Sequence, residues 1–125
     1  MILDIIILSI IFILVDSFYL SSMKTTFEKL VKSIQGDNLK LQILPTILCY
    51  IFLVASVYYF IIHKNGTIID AGLLGLFIYG VFETTNLAIF KKWNHLTTII
   101  DTLWGAILFM IVVWLFRFLD TIRRN

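Results

Sequence analysis

Charge is scarce in this sequence: 14% of its 125 residues are Asp, Glu, Lys or Arg, where a soluble domain carries about 25%. Together with a 60% hydrophobic content this excludes an ordinary water-soluble core and calls for a lipid solvent. Cysteine occurs once, as Cys49 inside an apolar run. An intramolecular disulfide and a CxxC zinc or redox motif are therefore impossible, and an inert buried thiol is expected. The two histidines, His63 and His95, lie far apart, so no local metal-ligand spacing or nucleophilic Ser, Cys or His motif forms. Ten basic residues scattered along the chain make no dense patch, which argues against nucleic acid as a partner. The one proline, Pro45, stands where an apolar run begins and reads as a helix start, its missing donor costing little there.

What the sequence does contain is four long apolar runs, 2–20, 43–62, 68–90 and 96–118. Each has the roughly 20 residues that an α-helix needs to cross about 30 Å of hydrocarbon, and barrel strands would instead alternate over about 10 residues. The expectation is an all-α integral membrane protein, a four-helix transmembrane bundle in one membrane domain over 1–125. The first run follows Asp4 where a secretory signal would carry positive charge, so it reads as a span. His63–Thr67 and Lys91–His95 are too short for anything but turns, which predicts antiparallel neighbours on either side of each. Asn65-Gly66 supplies the turn chemistry in the first of them. Asn65-Gly66-Thr67 is formally a glycosylation acceptor, expected to stay unused against the membrane.

Only the first loop, 21–42, has room for structure of its own. Met23, Phe27, Leu30, Val31 and Ile34 recur at helical spacing among Lys24, Glu28, Lys29 and Lys32. This predicts an interfacial amphipathic helix over about 23–35, capped by Thr25 with Glu28 and ended by Gly36. Loops one and three carry Lys24, Lys29, Lys32, Lys40, Lys91 and Lys92, outnumbering Lys64, Arg117, Arg123 and Arg124 on the other side. The positive-inside rule then puts both termini on the non-cytoplasmic side, most naturally of a plasma or inner membrane.

Ionisable groups within spans cost several kcal/mol, roughly, and each needs a reason. Asp16, Glu83 and Asp101 lie about 4, 7 and 5 residues in from the ends that meet loops one and three, so all three share one leaflet. Tyr79, Glu83 and Asn86 fall on one face of the third span; Asp101, Trp104 and Gly105 fall on one face of the fourth. Trp104 is too deep for the interfacial belt, where Tyr19, Trp93 and Trp114 belong, and its indole N–H needs a carboxylate or Asn86. Gly72, Gly75, Gly80 and Gly105 permit close helix contact around this cluster.

The block Tyr79-Gly80-Val81-Phe82-Glu83-Thr84-Thr85-Asn86-Leu87-Ala88, with Asp16-Ser17-Phe18-Tyr19-Leu20 before it and Trp93, Thr98, Asp101, Trp104 and Gly105 after it, resembles an uncharacterised, mainly bacterial family of four-span predicted membrane proteins. That family favours aspartate at the position of Glu83, tyrosine at Phe82 and tryptophan at Tyr19. The resemblance implies the four-span fold and assigns no activity.

The candidate polar or ligand cluster is thus Asp16, Tyr79, Glu83, Asn86, Asp101 and Trp104, with no catalytic residue, metal site or cofactor expected. Two functional readings are open. In one, the cluster binds a small ligand, a cation or a proton for transport; in the other it is a hydrogen-bond network in a structural or accessory membrane subunit. An aspartyl dyad enzyme would need a glycine-flanked aspartate motif, which is missing. The bilayer is the expected partner, with a second copy of the chain or another membrane protein beside it.

Overall fold

The computed structural model describes residues 1–124, and among them every regular element is helical. α1 spans Ile2–Ser22, α2 Lys24–Gln35, α3 Ile43–Ile62, α4 Ile68–Ile89 and α5 His95–Arg124. All but α2 are long and apolar enough to cross a membrane. The four expected spans are present, and the last outruns its apolar stretch by carrying on through Arg124.

Met23 alone separates α1 from α2, and the backbone bonds run through it, Met23 N–H to the Tyr19 carbonyl and Phe27 N–H to the Met23 carbonyl. Thr25 therefore sits inside the first turn of α2, and the capping box expected of Thr25 and Glu28 does not form. A reciprocal box forms instead at α4, where Asp70 N–H donates to Thr67 Oγ1 at 3.0 Å and Thr67 N–H to Asp70 Oδ2 at 2.8 Å. Gly36 ends α2 in the left-handed conformation, φ 75°, as its sequence position requires. α5 is capped by Asn94, whose Oδ1 accepts from the backbone N–H of Leu96 and Thr97.

The last turn of α3, Tyr58–Ile62, widens to π geometry, with His63 N–H reaching back to the Tyr58 carbonyl and Gly66 N–H to the Ile61 carbonyl. Asn65 takes the positive φ of the following turn, 54°. Arg117 of α5 donates to the Gly66 carbonyl and ties this turn to the bundle.

α4 and α5 pack most closely, α1 lies on α5, and α3 lies on α1. α3 and α4 are joined by their short turn, yet they are not among the helix pairs in closest contact. A turn fixes only where two helices meet, whereas close packing needs matching surfaces, and those of α4 and α5 match. A Cβ on Gly75 would overlap the Gly105 carbonyl, and one on Gly105 would overlap the Tyr79 ring. Gly72 faces the flexible end of Met110, and Gly80 meets only Thr102 at ordinary distance.

Leu8 and Phe12 of α1, Val57 of α3 and Leu108, Phe109 and Val112 of α5 are sealed in the apolar core. Phe12 and Phe109 pack edge to face at 5.3 Å. Large apolar side chains such as Phe18, Phe52, Phe77 and Phe82 point outward, as a lipid solvent permits. Cys49 is also exposed, contrary to the expected buried thiol, because the loop-side half of α3, with Ile43, Leu44, Ile47 and Leu48, has little protein packed on it. Asp4 near the start of α1 accepts from Arg123 near the end of α5 at 2.8 Å, which puts both ends of the chain at one end of the bundle.

Candidate functional site

The opposite end of the bundle, toward loops one and three, holds three carboxylic acids from three helices. Asp16 of α1 is 6% exposed, Glu83 of α4 0% and Asp101 of α5 7%. Burial of this degree demands partners, and the partners are aromatic donors. Asp16 accepts at both oxygens, from Tyr50 O–H of α3 at 2.6 Å and from Trp104 N–H of α5 at 3.1 Å. Asp101 accepts from Tyr19 O–H of α1 at 3.0 Å. Glu83 accepts from the indole N–H of Trp93, in the turn between α4 and α5, at 2.7 Å.

Helical periodicity explains how this comes about. Asp16 and Tyr19 are three residues apart on α1, Asp101 and Trp104 three apart on α5, so each helix presents an acid and an aromatic on one face. Placed antiparallel, the two helices exchange bonds: the acid of each takes the donor of the other. The Tyr19 and Trp104 rings lie flat against each other between the two bonds, 4.4 Å apart and 5° from parallel. Glu83 of α4 is buried at the same end of the bundle, near Asp101 of α5.

The balance of charge is the chemically informative part. Tyr19, Tyr50, Trp93 and Trp104 are all neutral donors, and among the described residues no Lys, Arg or His pairs with Asp16, Glu83 or Asp101. Glu83 Oε1 is buried without a hydrogen-bond partner. Three negative charges gathered there without a cation would repel one another in a medium that screens poorly. A proton on Glu83 would remove one of those charges and turn the unpartnered oxygen into a hydrogen-bond donor.

Of the six residues expected in the cluster, Asp16, Asp101 and Trp104 are joined by these bonds directly or through Tyr19, and Glu83 adjoins Asp101. Tyr79 serves packing, its ring against Gly105 and edge to face with Phe109 at 6.3 Å. Asn86 is buried one turn beyond Glu83, and no side-chain hydrogen bond links it to the acids. Tyr19 and Trp93, expected in the interfacial belt, donate to the cluster's acids, which offer their polar atoms a partner. Trp114 does face outward, stacked with Phe118. Tyr50 was not foreseen, and the acid-x-x-aromatic spacing shared by α1 and α5 is the sequence signal that would have found Tyr19. Among the described residues no three His, Cys, Asp or Glu side chains come together in a way that would hold a metal ion.

Residues 1–117 match the model of a family described as predicted membrane protein (DUF2177). No curated protein and no solved structure matches the chain.

Proposed function

The chain belongs to the DUF2177 family of predicted membrane proteins, and from that premise we propose that this multi-pass membrane protein binds a proton or a small cation at Glu83 and Asp101, as the site of small-ligand or ion transport. The observation that carries this reading is the fully buried Glu83 with one oxygen unpartnered beside a second buried acid. Intramembrane acids in such settings bind and release protons or cations as part of transport. The positive-inside rule supports termini on the non-cytoplasmic side of a plasma or inner membrane, and a second copy or another membrane protein is the proposed neighbour in the bilayer.

The rival reading is a structural or accessory subunit. It draws on the number of donors already spent within the bundle, four on three acids. Glu83→Gln separates the two, because the amide fills the space and accepts from Trp93 but cannot exchange a proton. Infrared spectra of the detergent-purified protein at neutral pH should show a protonated carboxyl band that Glu83→Gln lacks. Wild-type thermal stability should also respond to pH or to added cations where the variant's does not. A wild type indifferent to both and matched by the variant leaves the structural network.

A further inference from the structure

We infer that the angle between the end of α2 and the turn after α4 is a binding site for the headgroup of an anionic phospholipid. The inference is independent of the Glu83 reading and concerns a different part of the surface.

α2 has Leu30 buried and Phe27, Val31 and Ile34 partly covered. Its last turn comes to rest near the point where α4 ends. A hollow of about 240 Å³ lies between them, lined by Ser33 and Ile34 from α2 and by Ile89, Phe90, Lys91 and Lys92. Its composition is divided: Ile34, Ile89 and Phe90 are apolar, while Lys91 and Lys92 bring two positive charges and Ser33 a hydroxyl that donates to the Leu30 carbonyl. An anionic phospholipid has the same division, an acyl chain joined to a negative headgroup, and this depth, at the end of a span, is where the headgroup lies.

Charge complementarity extends beyond the hollow. Lys29 and Lys32 line a second groove along α2 together with Glu28, and among the described residues Lys29, Lys32, Lys91 and Lys92 form no ion pair. The nearest acid of α2, Glu28, is paired with Lys24 at 3.9 Å. Lys91 and Lys92, at the hollow itself, are thus two cationic side chains that no acid among the described residues pairs. Zwitterionic lipid would leave that field unmatched, and a bare anion would leave Ile34, Ile89 and Phe90 against water.

Quenching of tryptophan fluorescence by brominated lipid in mixed detergent micelles measures the relative affinity for phosphatidylglycerol over phosphatidylcholine, with Trp93 next to Lys92 as a reporter at the site. The wild type should prefer the anionic lipid several-fold, and each of Lys91→Gln and Lys92→Gln should weaken that preference by about fivefold or less, together bringing it near unity. Lys64→Gln, at the other end of the bundle, should leave it unchanged. Should the double variant fold poorly, the competition of wild-type protein between anionic lipid and inorganic phosphate still decides: the lipid should raise the melting temperature by a few degrees and phosphate at equal charge should not. Equal quenching by both lipids, an undiminished preference in the double variant, or full reproduction by phosphate alone overturns the proposal.

Discussion

Trp93 turns back from the α4–α5 connection and donates its indole N–H to Glu83 at 2.7 Å, ten residues earlier in the chain. A tryptophan at a membrane boundary usually turns its N–H toward headgroups. Here the indole serves one oxygen of Glu83, and the other is buried without a hydrogen-bond partner.

Trp93→Phe removes that donor and should destabilise the protein by about 1–3 kcal/mol, since a buried acceptor loses its partner. The same substitution in a Glu83→Met background should cost much less, because no acceptor remains to be left alone. Unfolding of both pairs in mixed micelles gives the comparison. Equal costs in the two backgrounds would mean that Trp93 contributes packing and not the bond.

Asp16 holds two donors where Glu83 holds one. Asp16→Leu therefore strands the Tyr50 hydroxyl and the Trp104 indole together, and its expected cost is about twice that of Glu83→Met on the same unfolding scale. Tyr50→Phe added to Asp16→Leu should recover part of the loss. A Glu83→Met variant less stable than Asp16→Leu would contradict this ordering.

Glycines of α4 differ sharply in what they tolerate. Gly75→Ala drives a methyl into the Gly105 carbonyl, a backbone atom that cannot move unless the helices part, and should cost about 1–3 kcal/mol or prevent folding. Gly80→Ala meets Thr102 at 3.6 Å and should lie within about 0.5 kcal/mol of wild type. Melting temperatures of the two variants side by side test the packing of α4 on α5.

The Asp4–Arg123 ion pair requires both ends of the chain on one side of the membrane. Reporter domains fused ahead of Met1 and after the C-terminal residue should report the same compartment, and neutralising Lys91 and Lys92 should erode whichever orientation the wild type prefers. Opposite compartments for the two fusions would remove the four-span arrangement.

The sequence by itself determined the number of long apolar helices, their ends to within about six residues, the helix in the first loop and the end of the bundle at which Asp16, Glu83 and Asp101 lie. These follow from local quantities: hydropathy over about 20 residues, a period of 3.6, and residue counts from a loop. It misplaced the capping box, because Thr25 and Glu28 have the same local spacing as Thr67 and Asp70, and only the nearly unbroken passage of α1 into α2 denies the first pair a helix end to cap. Which helices pack, and which aromatic finds which acid, was decided by the tertiary structure alone. Nothing local gives Tyr19 or Trp93 a partner; α5 brings Asp101 to one and the turn brings the other to Glu83. The physical reason is that lipid gives apolar side chains no preference between a protein neighbour and a hydrocarbon one, so the hydrophobic pattern cannot say which faces meet. That choice falls to close backbone contacts, as at Gly75 and Gly105, and to hydrogen bonds between residues such as Asp16 and Trp104, 88 positions apart in the chain.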